Sequence, residues 1–116
     1  MAATLSKSER LCGKKAIAGL MEHGKGGSAG CLRYKFTPGT EVSRILVSVP
    51  KRFFKRAVKR NLLKRRIRES YRRQKDLLGP GVDILFIYLS PEVLPYADIF
   101  ADMTEVLSEV YRCCHE

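Results

Sequence analysis

Residues 57–73 read AVKRNLLKRRIRESYRR, and this stretch limits the possible folds more than any other. Between Lys51 and Lys75 there are 13 Lys or Arg and a single acid, Glu69. The whole chain has 22 basic and 12 acidic residues, so 9 and 11 of them lie outside that segment, and the net +10 belongs to one element. Wound as a helix at about 100° per residue, the segment sorts into arcs. Leu63, Ile67, Ser70 and Tyr71 form one narrow stripe suited to a core. Asn61, Lys64, Arg65, Arg68 and Arg72 fall on a neighbouring arc, while Lys59, Arg66 and Arg73 lie elsewhere. Such a helix has one thin face to lay on a core, and the rest of it is nearly all positive.

That arrangement opposes helix stability. Arg56–Arg60, Arg60–Lys64, Lys64–Arg68 and Arg68–Arg72 are successive like-charge pairs four residues apart, each costing about 0.2–0.5 kcal/mol. Glu69 stands four residues from both Arg65 and Arg73 and offsets part of the repulsion. A bound polyanion would supply the missing counter-charge, and the pI of about 9.8 points the same way. The preference for Arg favours phosphate, which a guanidinium meets bidentately. Asn61 has two roles open to it: reading a base edge or 2′-hydroxyl, or bonding nearby backbone.

The remainder reads as a small sheet with two more helices. Residues 1–10 resemble an irregular arm. Ile17, Leu20 and Met21 recur at helical spacing between Lys14 and His23, and Gly24 closes the helix. GKGGSAG is a flexible loop or a weak edge strand. CLRYKF (31–36) alternates, putting Leu32, Tyr34 and Phe36 on one face. RILVSV (44–49) is a second strand stopped by Pro50, and VDILFIYL (82–89) a third, following the Gly79-Pro80-Gly81 breaker. A last helix over Tyr96–Arg112 carries an apolar stripe of Tyr96, Ile99, Phe100, Met103, Leu107, Val110 and Tyr111, with a frayed tail at 113–116. The order α-β-β-α-β-α predicts one domain over 1–116, a small α+β (α/β) sandwich. A helix joins strands 44–49 and 82–89, which makes them parallel, with a right-handed crossover by default.

Several function classes lose ground on composition. Cys12, Cys31, Cys113 and Cys114 form no C-x-x-C and no disulfide framework, which suits reduced thiols in a cytoplasmic protein. No apolar run approaches the ~20 residues of a membrane span, and no charged-then-apolar leader opens the chain. His23 and His115 have no triad partners or metal-ligand spacing around them, so no catalytic centre is expected in the protein.

The basic segment is also specific in its order. KRAVKRNLLKRRIRESYR resembles the Arg-Asn-Arg signature of the bacterial ribonuclease P protein subunit, a pattern close to A-V-x-R-N-x-x-K-R-x-x-R. Ala57, Val58, Arg60, Asn61, Lys64, Arg65 and Arg68 stand in register, after SVPKR at 48–52, and ERLCGKKAIAGLMEHG (9–24) is similar to the family's first helix. The resemblance implies a ribosomal protein S5 domain 2-like fold, α-β-β(-β)-α-β-α, with a small mixed sheet, an extra strand near Lys25–Ala29 and a left-handed β-α-β crossover. It implies a protein that binds a catalytic RNA through the signature helix and the 5′ leader of precursor tRNA in a cleft between first helix and sheet. The RNA, with Mg²⁺, cleaves the leader; no obligate protein partner and no membrane are implied.

Carried over by position, Lys51, Arg52, Arg56, Arg60, Asn61, Lys64, Arg65 and Arg68 would face the catalytic RNA. Ile17, Met21, Tyr34 and Phe36 would line the leader cleft. Many relatives have Phe at both helix positions, where an aromatic stacks on a base for ~1–3 kcal/mol. Ile17 and Met21 do not stack in that way and equally suit a core, so leader contact here would lean on Tyr34 or Phe36. Lys55 and Arg56 also depart from the small or Gly residue usual before Ala57. Two other classes compete. A structural RNA-binding protein, such as a small ribosomal protein, shares the basic helix without any leader dependence. A membrane-surface or calmodulin-target helix would have only Val58 and Leu62 as apolar anchors.

Overall fold

The structure, a computed structural model, describes residues 14–38, 43–78 and 81–114, with side chains from Ala18 onward in the first helix. The expected arm at 1–10 and the side chain of Ile17 lie outside the described residues. The elements are α1 (Lys14–His23), β1 (Lys25–Ala29), β2 (Leu32–Pro38), β3 (Arg44–Ser48), α2 (Ala57–Gln74), β4 (Val82–Tyr88) and α3 (Tyr96–Cys114), with one 3₁₀ turn, Lys75–Leu77, extending α2. The four strands form one sheet in the order β1-β2-β4-β3. β1 pairs antiparallel with β2 and β2 antiparallel with β4, while β3 runs parallel to β4 across the α2 connection. This is a small mixed α+β fold of four strands and three helices.

Strand alternation divides the sheet into two unequal faces. On one, Leu32, Tyr34, Phe36, Ile45, Val47, Ile84, Phe86 and Tyr88 meet the buried residues of α2 and α3 in the main core. On the other, Leu20 of α1 packs on Leu85, flanked by Leu46 and Ile87. β4 is central and apolar on both faces, which is why VDILFIY reads as a continuous run. Its one charge, Asp83, is held in a fork by Arg44 of β3, with Nε and Nη2 at 2.8 and 2.6 Å.

The α2 stripe is as the spacing predicts: Leu63, Ile67, Ser70 and Tyr71 are buried, joined by Gln74. The α3 stripe differs. Ile99, Met103, Leu107 and Val110 are buried together with Val106, whereas Tyr111 is 47% exposed and Tyr96 and Phe100 are half-buried. The helix meets both sheet and α2, so its buried arc is centred on Val106 and Met103, and Tyr111 turns outward. It also continues through Cys113 and Cys114 instead of fraying there, because Cys114 packs against the main core. Residues 115–116 lie outside the described part. Cys31, Cys113 and Cys114 are free thiols. Burial, reinforced by Asp102, pushes the Cys31 thiol up to about 12 and keeps it unreactive.

The Gly-rich stretch is a full strand, because its glycines are demanded by neighbours. Gly27 lies under Tyr34, and a Cβ there would run into the ring and its hydroxyl. Gly30 turns the β1–β2 hairpin at φ +57°, and a side chain there would overlap the Asp102 carboxylate. That carboxylate accepts the Cys31 N–H at 3.0 Å, so α3 pins the hairpin. Two further ties join α2 to α3: Gln74 Nε2 donates to the Phe100 carbonyl at 3.1 Å, and the Thr104 hydroxyl donates to Gln74 Oε1.

Candidate nucleic-acid interface

The inner stripe of α2 faces the sheet, so its cations are turned outward on the domain surface. Lys51, Arg52, Arg56, Asn61, Arg65 and Arg68 are exposed, and Arg60 and Lys64 half-buried. The structure therefore brings all eight residues assigned to RNA onto α2 and the segment leading into it. Arg66 lies off that set and is structural: its Nη1 donates to the Leu94 carbonyl at 2.6 Å, tying α2 to the segment before α3. Tyr88 steadies the same segment, its hydroxyl donating to the Glu92 carbonyl and accepting the Leu94 N–H.

Glu69 is neutralised by neighbours other than those its spacing suggests. Arg72 grips it through Nε and Nη2 at 2.9 and 2.5 Å, and Arg73 Nε adds a third bond at 2.9 Å; Arg65 is not its partner. These hydrogen bonds hold its carboxyl at about 2, well below the ordinary 4.5. The one acid of the basic segment thus lies in the C-terminal third of α2, and the N-terminal two-thirds keep their positive charge.

The N-terminus of α2 carries none of the usual devices. Its cap is Arg56, with φ −80° and ψ 127°, no side-chain cap bond and no acid in the first turn. Arg60 instead reaches back, its Nη1 donating to the Phe54 and Lys55 carbonyls at 2.8 Å each. Phe54 is buried against Tyr88, ring centroids 6.0 Å apart, and Phe53 carries the Arg52 guanidinium 4.8 Å above its ring. Val58, 79% exposed, is the most solvent-accessible large apolar side chain among the described residues.

The cleft assignment needs correcting. α1 lies on the Leu85 face of the sheet, but Tyr34 and Phe36 point to the opposite face, each 3% exposed inside the main core. Tyr34 donates its hydroxyl to Glu109 of α3 at 2.6 Å, away from α1. The β2 side chains that share the α1 face are Arg33 and Lys35, one residue out of step with the aromatics. Lys35 Nζ donates to the Met21 carbonyl at 2.8 Å, and the Met21 side chain is 45% exposed beside it. On the face that α1 takes, β2 thus presents cations where aromatics were expected. The alternation in CLRYKF contained this signal; what it lacked was which face α1 would take.

Among the described residues, no group of three His, Cys, Asp or Glu converges to hold a metal ion, and no helix is long and apolar enough to cross a membrane.

A four-stranded mixed sheet backed by two helices, one of them a polycation, defines a small α+β domain with a surface suited to an anionic polymer. The family model for Ribonuclease P matches residues 5–111. Curated relatives named ribonuclease P protein component, from two strains of Porphyromonas gingivalis, are 39% identical over 106 residues, covering 88% of this chain and 77% of theirs. The solved ribonuclease P protein of Thermotoga maritima superposes with a TM-score of 0.77 at 24% identity, covering 87% of this chain and 96% of its own. That of Staphylococcus aureus gives 0.78 at 23%, covering 89% and 95%. The chain belongs to the ribonuclease P protein family. Membership makes it a protein component of the ribonuclease P holoenzyme, in tRNA processing, with the ribonuclease P RNA as its partner.

Proposed function

We propose that this protein binds the catalytic ribonuclease P RNA through Lys51, Arg52, Arg56, Arg60, Asn61, Lys64, Arg65 and Arg68. It holds the 5′ leader of precursor tRNA in the groove between α1 and the sheet. The observation that carries the reading is the outward polycationic surface of α2, whose one acid is already satisfied by Arg72 and Arg73. Each phosphate that this surface neutralises releases counterions, so log K falls by roughly 0.7–0.9 per contact as log salt rises. In the groove, Met21 and the cations Arg33 and Lys35 take the place of stacking aromatics, so leader contact is mainly to phosphate and weakly base-selective. Ile17, four residues before Met21 in the sequence, keeps its assignment to leader binding from the family resemblance. Mg²⁺ acts with the RNA, which performs the hydrolysis in the cytoplasm, and the protein favours substrate because mature tRNA has no leader.

The test is 5′ cleavage of a precursor tRNA by a bacterial ribonuclease P RNA at low Mg²⁺, with and without the protein. Strong stimulation that shrinks as the leader is trimmed is the expected result. Tight RNA binding without stimulation would reduce the protein to a structural RNA-binding domain.

A further inference from the structure

We propose that Arg60 serves RNA binding as a positioning residue: it fixes the segment 50–56 in place before the RNA arrives. The inference rests on reading the outer side of α2 as the RNA surface. Both N–H bonds of Arg60 Nη1 are committed to the protein's own backbone, to the Phe54 and Lys55 carbonyls at 2.8 Å each. Nη1 is thereby taken up by the protein's own backbone, and Arg60 closes the chain over the first turn of its own helix.

The segment needs such a clamp. Its helix start has no side-chain cap and no acid in the first turn, and the first helical bond, Arg60 N–H to the Arg56 carbonyl, is long at 3.4 Å. It also holds Lys51, Arg52, Lys55 and Arg56, all exposed, within six residues, so mutual repulsion spreads it unless something holds it. Three anchors do: Arg60 on the two carbonyls, the Phe54 ring against Tyr88, and Phe53 beneath Arg52. Cations fixed before the RNA arrives lose less conformational freedom on binding, so the clamp raises affinity without touching the ligand.

Trypsin reports on the clamp in the RNA-free protein, since cleavage after Lys55 or Arg56 requires the segment to open. Arg60→Ala is expected to speed that cleavage about tenfold, and to raise Kd for a ribonuclease P RNA about tenfold, the scale of one or two well-placed cationic contacts. In an Arg52→Ala/Arg56→Ala background, the same substitution is expected to raise Kd by a clearly smaller factor, about threefold, because only Lys51 and Lys55 remain to be positioned. Arg60→Gln keeps an N–H donor and loses the charge; it is expected to keep more trypsin resistance than Arg60→Ala and a smaller rise in Kd, and it decides the matter alone if thermal unfolding shows Arg60→Ala unfolded. Unchanged cleavage in Arg60→Ala, an equal Kd factor in both backgrounds, or a Gln variant as weak as Ala would each overturn the proposal. If the parent protein binds no ribonuclease P RNA, the reading of the surface fails, and trypsin still decides the clamp.

Discussion

The two long helices pack side by side on one face of the sheet and are built on opposite principles. α3 has 19 residues and buries Ile99, Met103, Val106, Leu107 and Val110, all apolar. Asp98 in its first turn and Arg112 in its last complement the helix dipole, and its inward polar groups, Asp102, Thr104 and Glu109, bond to the rest of the domain. α2 has 18 residues and a buried set that includes Ser70 and Gln74, with a cationic cap and no acid in its first turn. Its helical state is sustained by tertiary ties, from Arg66 to the Leu94 carbonyl and from Gln74 to the Phe100 carbonyl. α3 is self-sufficient, with an apolar buried arc and matched end charges; α2 turns most of its surface outward as cations and relies on its neighbours to stay folded.

Core truncation should treat the helices alike. Ile67→Ala and Met103→Ala each empty a fully buried site and are expected to cost about 2–5 kcal/mol in urea unfolding. A much smaller loss for Ile67 alone would mean that α2 adds little to the core. The seam between them comes next. Gln74→Ala removes both ties and leaves the Thr104 hydroxyl donating to the Phe100 carbonyl alone, for about 1 kcal/mol.

On the outer surfaces the helices should diverge. Arg65→Ala, on exposed α2, is expected to weaken RNA binding and lower the salt slope by roughly 0.7–0.9 while leaving stability within about 0.5 kcal/mol. Glu105→Ala, exposed on α3, should move neither quantity. Equal effects of the two on RNA affinity would erase the distinction. The smallest effect belongs to Glu69. Its folded pKa of about 2 lies below the ordinary 4.5, so its contribution is complete above pH 4.5 and lost as pH falls toward 2. On a surface helix that amounts to about 0.3–0.5 kcal/mol, and Glu69→Gln should remove this part of the acid dependence.

Within the sheet, the residues that the sequence misplaced share one cause. Alternation separates Tyr34 and Phe36 from Arg33 and Lys35, but it is silent about which set meets α1. The aromatics went under α3 because Gly27 clears room for the Tyr34 ring and Glu109 accepts its hydroxyl, contacts 7 and 75 residues away along the chain. The same holds for β1, where glycines leave loop and weak edge strand both open until their neighbours are known. Family resemblance supplied that strand where propensity did not. Tyr111 and Val106 exchanged places because the buried arc of α3 depends on two partners, neither visible in its own periodicity.

What the sequence determined by itself was whatever depends on local order: helix and strand periods, the core stripe of α2, and the concentration of charge into one segment. These follow from backbone geometry and from residues a few positions apart. The tertiary structure alone decided the pairing of α1 with the Leu85 face, the cations that β2 presents there, the Arg72 and Arg73 grip on Glu69, and the turning of Arg60 onto its own backbone. Each of these is a choice among several partners within reach, and only the assembled packing leaves one of them in place.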